Sequence, residues 1–421
     1  MDVFMIGNGF DLHYCLPTTY TCFLRTVESI CKRLAKGETI TTVAQVFGDP
    51  ALYKSDGAMK RCYDTYGTDY DAELDPDQIS KLFGRAEQNL WFTYLLRSFD
   101  AGKGWIDFER EIGQVIEILS SALETQFTDN KTVYIYTDIE DKRTIHILSL
   151  FPFFFDDGPV DGLDGDREAY FYTINPKYLT EIPFGSGVRH INRTEVAKKL
   201  YKSLRELADM LAAYLRLFVD RPVENMAARK IIHPDRLLSS WKWENSSVVS
   251  FNYTHTADWL YDLSRDVHFI HGELDDESIS RIVLGINADE ADEIGSADTT
   301  FIQFKKYYQR VFYQTDLSYI AFVNAIDRKA DPFWPIRLYV IGHSLDKTDQ
   351  EVIRDLFTRA VEITIFYHSD SAISDYIRNL VSIFGKKQFD LLRTTKNLQF
   401  LSLEKLKVTK LISSALPLEL L

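Results

Sequence analysis

Cysteine is scarce in this sequence, and its spacing does not suit a metal site. The 421-residue chain has four cysteines, and all of them lie within its first sixth: Cys15, Cys22, Cys31 and Cys62. Because none forms a C-x-x-C pair, we expect no structural zinc and predict no metal. Reduced, mostly buried thiols are typical of a protein of the cytoplasm, where disulfides are rare.

Basic character and long apolar runs are also lacking. Lysine and arginine number 48 against 62 aspartates and glutamates, which gives a net charge of -14. A charge of that sign repels nucleic acid and anionic lipid. The apolar stretch from Ile145 to Phe155 is too short to cross a bilayer, and Asp2 stands where a secretory signal would be basic. We therefore expect a cytoplasmic protein that binds no membrane, and a nucleic-acid partner is disfavoured.

Strand and helix signals alternate near both ends of the chain. The opening "VFMIG" is apolar without alternation, which is typical of a central parallel strand buried on both faces. After residue 245 the sequence predicts strands, several of them separated by helical periodicity, at "SVVSF", "VHFIH", "RIVLGI", "IRLYVIG", "EITIFYH" and "LQFLSL". This alternation predicts an α/β fold with a Rossmann-like parallel sheet.

The chain is too long for one compact core, so we expect more than one domain. Residues 1–37 are predicted to supply the first strand, the glycine-rich loop and the first helix of a nucleotide-binding domain, and residues 246–421 the remainder. Residues 38–245 are predicted to form a large, mostly helical insert. Its clearest element is an amphipathic helix over residues 194–219.

The segment Gly7-Asn8-Gly9-Phe10-Asp11 follows the first predicted strand. Glycine allows a sharp turn and lets backbone N–H groups approach a phosphate, so the first four residues are predicted to contact a nucleotide. The third glycine of the G-x-G-x-x-G pattern is absent, and a tight turn without a ligand is the alternative. Asp11 has two possible roles, either capping a turn or hydrogen-bonding a ribose hydroxyl.

Two polar residues follow the next predicted strands. Asn252 in "SFNYTHT" is placed at the carboxyl end of a strand, the sheet edge that binds ligands in open α/β folds, and its amide suits a ribose hydroxyl or a water. His271 in "HFIHGE" suits a general base. The alternatives are a turn-forming asparagine and a structural histidine. In a regular strand His268 faces away from His271, so the two imidazoles should not share a site.

A third candidate contact follows the predicted strand "YVIG". Gly342 and Ser344 stand where that strand ends and a helix begins, and N–H groups at a helix start favour a phosphate or a ribose. We therefore predict that both residues contact the nucleotide. The alternative is a well-capped connection, since Thr348 and Glu351 have the spacing of a capping box.

These segments, taken in order, resemble a known family. "IGNGFDLHYCLPTTYTCFL" resembles the opening of the bacteriophage abortive-infection AbiH family, and "FNYTHT", "HFIHGE", "VLGI" and "IGHSLDKTD" resemble its later blocks. The resemblance covers both ends of the chain, and between about residues 38 and 240 it is limited to "WIDFE". It implies an anti-phage protein whose activity responds to a phage-derived trigger.

The sequence is also similar, more distantly, to sirtuin-like NAD-binding proteins. That resemblance implies a sirtuin-like sheet, cofactor contacts at Gly7, Gly9 and Ser344, and Asn252 and His271 as a catalytic pair. The matching positions are Gly7, Gly9, Cys15-Leu16-Pro17, Asn252, His271-Gly272, Gly342 and Ser344-Leu345. Deacylase sirtuins have zinc-binding cysteines after the histidine, and this chain has none there, which argues against protein deacylation.

Three hypotheses follow for the function. The first is an NAD glycohydrolase, a hydrolase with NAD as substrate, in which Asn252 positions ribose or water, His271 is the base and Asp11 holds a hydroxyl or stabilises positive charge. The second is a module that senses a nucleotide without turnover and signals to a partner through the helical insert. The third is a nucleic-acid-directed toxin, which the acidic charge disfavours. For the protein as a whole we also expect a homo-oligomer.

Overall fold

The structure is a computed structural model, and its described residues are 1–49, 52, 57–100, 107–124, 127–129, 132–138, 141–160, 169–181, 189–235, 243, 246–263, 267–275, 281–287, 298–328 and 335–403. The chain divides into two compact units. The sheet unit comprises Met1–Ser80, Leu211–Val283 and Arg310–Leu421, and the second unit comprises Lys81–Met210 and Leu284–Gln309. The domain division at residues 38 and 246 stays a prediction.

The strands and helices of both units are numbered in chain order. The strands are β1 Asp2–Ile6, β2 Phe127–Asp129, β3 Thr132–Asp138, β4 Phe154–Val160, β5 Ala169–Ile174, β6 Leu179–Glu181, β7 Arg189–Ile191, β8 Ser246–Ser250, β9 Val267–Phe269, β10 Arg337–Ile341, β11 Glu362–Tyr367 and β12 Gln399–Ser402. The α-helices are α1 Asn8–His13, α2 Tyr20–Ala35, α3 Val43–Phe47, α4 Gly57–Tyr66, α5 Pro76–Phe83, α6 Leu90–Asp100, α7 Phe108–Glu124, α8 Lys142–Leu150, α9 Arg193–Leu215, α10 Arg221–Ala228, α11 Thr256–Tyr261, α12 Lys306–Tyr313, α13 Leu317–Arg328, α14 Gln350–Arg359 and α15 Asp370–Thr395.

The sheet unit is built on a six-stranded parallel sheet with the order β12-β11-β10-β1-β8-β9. Numbered by their own succession along the chain and read from the β9 edge, these strands have the order 3-2-1-4-5-6, which is the Rossmann order. The predicted α/β fold with a Rossmann-like parallel sheet is therefore confirmed. The order reverses between β1 and β10, and in such sheets ligands bind outside the carboxyl ends of the strands near that reversal.

The central strands β1 and β8 are buried within the sheet unit. Every residue of β8 is buried, and β1 is buried from Val3 to Ile6. One cluster of buried residues joins strands β1, β8, β10 and β11 to helices α14 and α15, and it includes Val3, Val249, Val340, Ile353, Ile365 and Leu380. Burial on both faces explains why β1 is a continuous apolar run from Val3 to Ile6, while β8 also buries serines.

One predicted strand is wrong. The segment "RIVLGI" does not pair as a strand, and within it only Ile286 forms an isolated bridge, to Lys305. Its N–H groups bond elsewhere: that of Val283 donates to the His271 carbonyl at 2.8 Å, and that of Leu284 to the Gln309 side chain at 3.0 Å. Apolar content alone predicted a strand, but the partners of the backbone are loop and side-chain oxygens.

The second unit contains helices and two small antiparallel sheets, with strand orders β2-β3-β5-β4 and β6-β7. Aromatic rings fill much of its core. Trp91 lies edge-on to Phe151, with ring centroids 5.7 Å apart, and Phe151 stacks on Phe153 at 6.2 Å. The sequence predicted a mostly helical region here, including the helix near residues 194–219, but not these six strands. Among the described residues, no helix combines the length and the apolar character needed to span a membrane.

Candidate functional site

The turn after β1 packs directly on the turn after β10. The N–H of Gly7 donates to the Ile341 carbonyl at 3.1 Å, and the N–H of Gly9 donates to the Gly342 carbonyl at 2.8 Å. The N–H of Phe10 donates to the Gly7 carbonyl at 2.8 Å. Three N–H groups of the predicted phosphate-binding loop therefore already have protein partners in this structure.

Close backbone contact explains two of the glycines. A Cβ atom on Gly9 would lie 2.7 Å from the Cα of Gly342. Gly342 itself has a φ of +67°, and a Cβ there would lie 2.1 Å from the nitrogen of Phe10. Only glycine allows two backbones to approach this closely, and only glycine adopts the second conformation without strain. The two turns are thus locked together at the reversal point of the sheet.

The other predicted nucleotide contacts have different environments. Phe10 is fully buried, and its ring packs against Tyr14 at a centroid distance of 5.4 Å. Asn8 and Ser344 are exposed. The Ser344 carbonyl accepts a hydrogen bond from the side chain of Asn379 at 3.0 Å. Their contact with a nucleotide stays a prediction.

Asn252 links the end of β8 to the first turn. Its Nδ2 donates to the Gly7 carbonyl at 3.1 Å, and its side chain is almost fully buried, with 6% of the residue exposed. The Ser250 hydroxyl donates to the Asn252 carbonyl and accepts from the Asn252 N–H, both at 3.2 Å. The structure therefore brings Asn252 to the Gly7 turn, as the order of the motifs led us to expect.

His271 lies in the turn after β9, buried beside a carboxylate. Its Nε2 lies 3.0 Å from Oδ1 of Asp349, and 5% of the residue is exposed. The ring of Phe251, which follows β8, packs edge-on against it at 5.6 Å. His268 instead stacks on Phe322 of α13 at 4.6 Å. The two imidazoles have different neighbours, as the sequence predicts.

His343, in the turn after β10, approaches the same carboxylate. Its Nε2 lies 3.4 Å from Oδ2 of Asp349, and its Nδ1 accepts a hydrogen bond from the Leu345 N–H at 2.9 Å. The ring of Phe251 packs against both imidazoles, with its centroid 4.2 Å from that of His343 and 5.6 Å from that of His271. Asp349 therefore joins the turns after β9 and β10. We call His271, His343 and Asp349 the imidazole cluster.

Asp11 is buried in α1 and interacts with the loop after β8. Its Oδ2 accepts a hydrogen bond from the Thr254 hydroxyl at 2.6 Å, while its buried Oδ1 has no hydrogen-bond partner among the described residues. Burial raises the pKa of Asp11 from 3.8 to about 7, against the hydrogen bond from Thr254, which lowers it. A carboxyl group with that pKa can hold or release a proton near neutral pH.

A second pair formed by a histidine and an aspartate, His255 and Asp220, lies beside Asp11. The His255 Nδ1 donates to Oδ2 of Asp220 at 2.7 Å, and the His255 N–H donates to Oδ1 of Asp220 at 3.0 Å. Asp220 ends a π-helical turn, Arg216–Asp220, within a long helical segment. Burial lowers the pKa of His255, but the hydrogen bonds to Asp220 and Glu273 outweigh it and raise the pKa to about 10. A histidine with a pKa raised in this way is protonated near neutral pH and is poorly suited to act as a base there.

A cavity of about 370 Å³ lies in the sheet unit next to the turn that carries His271. Gly272 and Glu273 line it on one side, and the residues between α12 and α13 line it on the other. Its lining does not include Gly9, Asn252 or Ser344. In the part of the chain that the structure describes, no group of three or more His, Cys, Asp or Glu side chains is arranged to hold a metal ion.

The sequence did not reveal Asp349 or Asp220 as partners of histidines. Asp349 lies 78 residues from His271, and nothing in the local pattern distinguishes it from a surface aspartate. The capping box predicted at Thr348 and Glu351 is wrong, because Asp346 caps the turn by accepting from the Thr348 N–H, and Glu351 pairs with Arg310. For the position of the candidate site, the signal in the sequence was that each motif follows a predicted strand.

The sheet order and the polar turns at its carboxyl edge define a Rossmann-like α/β protein. The family model described as "Bacteriophage abortive infection AbiH" matches residues 3–368. The chain therefore belongs to the AbiH family, which gives it an anti-phage role in abortive infection. No curated protein and no solved structure matches it.

Proposed function

We propose that this protein hydrolyses the bond between nicotinamide and ribose in NAD during abortive infection. One observation supports the proposal above the others. The carboxyl ends of β1, β8, β9 and β10 bring Asn252, the Gly7 turn and the imidazole cluster into one chain of contacts, at the edge where Rossmann sheets bind dinucleotides.

The reaction balances with water as the only co-reactant. The bond between C1′ of the ribose and the pyridinium nitrogen breaks, and its electron pair goes to the nicotinamide ring, which leaves neutral. Positive charge develops on the ribose as the bond lengthens. The water oxygen bonds to C1′, and the proton it loses goes to the base. The products are nicotinamide, ADP-ribose and a proton.

Each role falls to a residue with suitable chemistry. His271 is the base, and Asn252 orients the water or a ribose hydroxyl through its side-chain amide. Asp11 supplies a buried carboxyl that stabilises positive charge when it is ionised. The turn residues Gly9 and Ser344 would contact the phosphates or the second ribose.

A second function, nucleotide sensing without turnover, is favoured by the burial of the same residues. Asn252 and His271 are 6% and 5% exposed, and the Gly9 N–H is bonded to Gly342. A dinucleotide would therefore have to open these turns to reach the imidazole. Such an opening would couple nucleotide binding to a conformational change, as a sensor needs.

Nicotinamide release by the full-length protein tests the first function. We expect release from NAD, with or without infected-cell extract as a source of a phage-derived trigger, and a loss of at least about 1000-fold in His271→Ala and Asn252→Ala. His268→Ala is the matched control, because its imidazole lies in β9, three residues before His271, and stacks on Phe322 instead. Unchanged release in both site variants would refute the mechanism.

Calorimetry separates the two functions. The sensor hypothesis predicts that NAD binds the wild-type protein without forming nicotinamide, even with the extract present. Measuring the oligomeric state with and without NAD then shows whether binding drives assembly of a homo-oligomer. Nicotinamide release that depends on His271 would exclude a pure sensor.

A further inference from the structure

We infer that Asp349 is a positioning residue that fixes which nitrogen of His271 carries the proton. Its importance for catalysis rests on the proposed function, but the assignment itself concerns only the imidazole cluster. The observation behind it is that one buried carboxylate approaches two imidazoles from the turns after β9 and β10, with Nε2 of His271 at 3.0 Å and Nε2 of His343 at 3.4 Å.

The chemistry of the carboxylate decides the tautomer of His271. An ionised carboxylate only accepts hydrogen bonds, so the nitrogen 3.0 Å from it must carry the proton. That nitrogen is Nε2 of His271. The nitrogen that can accept a proton from a substrate or a water is then Nδ1. A His271 with the opposite tautomer would present a donor where the proposed reaction requires an acceptor.

The tautomer of His343 follows independently from its backbone partner. The Leu345 N–H is a donor, so Nδ1 of His343, 2.9 Å away, must be an acceptor. A neutral His343 therefore carries its proton on Nε2, which points toward Oδ2 of Asp349. The carboxylate thus faces one N–H on each oxygen, an arrangement that favours its ionised form in a buried site.

Asp349 is itself held in place by its own segment. Its N–H donates to the Asp346 carbonyl at 3.1 Å, and the Asp346 side chain accepts from the Thr348 N–H at 2.9 Å. The 3-10 turn Lys347–Asp349 then leads directly into α14. A carboxylate fixed at the start of a helix can orient an imidazole with little freedom of its own.

The experiment reads the tautomer directly by NMR of protein labelled with 15N-histidine. The chain has nine histidines, and the His271 signal is identified as the one missing from His271→Gln. We expect Nε2–H for His271 in the wild-type protein, and a mixture or the opposite tautomer in Asp349→Asn, whose amide can donate as well as accept. In the nicotinamide assay, kcat should fall on the order of 100-fold with little change in KM.

Two further variants separate positioning from folding. Asp346→Asn is the matched control in the same turn, and it should leave the tautomer and kcat unchanged because an amide oxygen still accepts from Thr348. Asp349→Glu restores a carboxylate and should restore the wild-type tautomer at least in part. A His271 tautomer that is unchanged in Asp349→Asn would overturn the inference. Absence of nicotinamide release from the wild-type protein would refute the proposed function alone, since the NMR result does not depend on it.

Discussion

The turn after β1 differs from the turns after β9 and β10 in what its polar groups contact. In the first, the glycine N–H groups are used in packing, since those of Gly7 and Gly9 bond to the turn after β10. In the others, the side chains of His271 and His343 point to a shared carboxylate. The polar groups of the turn after β1 therefore serve backbone packing, whereas the turns after β9 and β10 carry the imidazoles suited to catalysis.

In this protein, the glycine-rich turn after β1 serves backbone packing. Glycines after a first strand usually suggest phosphate binding. Here the approach of two backbones already accounts for Gly9 and Gly342, as a Cβ on either would overlap the other turn. A nucleotide would have to displace these contacts or bind beside them.

The largest loss of stability should come from adding a side-chain atom between the turn after β1 and the turn after β10. Gly342→Ala puts a Cβ 2.1 Å from the backbone of Phe10 at a φ of +67°, and we expect it to cost about 4 kcal/mol or more of unfolding free energy. Gly37→Ala is the control: Gly37 has a φ of +76° but no atom within 4 Å of its added Cβ, so about 1 kcal/mol is expected. Equal losses in urea unfolding would show that the turns are not locked together.

The second-largest effect on stability concerns Asp11, a titratable residue that follows the turn after β1. Because its pKa rises from 3.8 to about 7 on folding, the folded protein binds this proton more tightly than the unfolded chain. This contribution to stability is complete below about pH 4 and is lost as the pH rises to about 7, by roughly 2 to 4 kcal/mol.

Asp11→Asn should remove that dependence on pH. The variant mimics the protonated carboxyl, so it should match the wild-type protein near about pH 4.5 and be more stable near about pH 7.5. The measurement is denaturant unfolding at both pH values. Asp77→Asn, at an exposed position of α5, is the control and should leave the difference between the two pH values unchanged. A parallel response of Asp11→Asn and the wild-type protein would mean that Asp11 is already charged when folded.

The smallest effect should come from the hydrogen bond between the loop after β8 and the turn after β1. Asn252→Ala removes the buried hydrogen bond from Nδ2 to the Gly7 carbonyl, which should cost about 1 to 2 kcal/mol. Asn379→Ala removes the same type of bond, to the Ser344 carbonyl, at a less buried position and should cost about 0.5 kcal/mol. Chemical denaturation of both variants measures the two losses of unfolding free energy. A larger loss in Asn379→Ala than in Asn252→Ala would mean that the bond to the Ser344 carbonyl contributes more to stability than the bond to the Gly7 carbonyl.

Much of the sheet unit was predictable because its signals are local. A continuous apolar run predicted β1, a strand buried almost throughout, and local strand signals predicted β8, β9, β10, β11 and β12. The antiparallel strands of the second unit were not predicted, because they lie in a stretch that we interpreted as mostly helical. The segment "RIVLGI" shows the opposite error, because it is apolar but bonds to loops.

The candidate site was predictable only as a set of positions. Asn252 and His271 follow strands in the sequence, and the parallel sheet then places them at one edge. The carboxylate partners of the histidines were not predictable, because Asp349 lies 78 residues from His271 and Asp220 reaches His255 from a π-helical turn.

The sequence by itself determined the type of fold, the family and the residues at the strand ends, because each of these depends on local composition and order. Only the tertiary structure decided that the first glycine turn is used in packing and that two imidazoles share one carboxylate. The physical reason is that hydrogen-bond partners and backbone approach depend on distances between segments, and those distances are set only when the sheet is assembled.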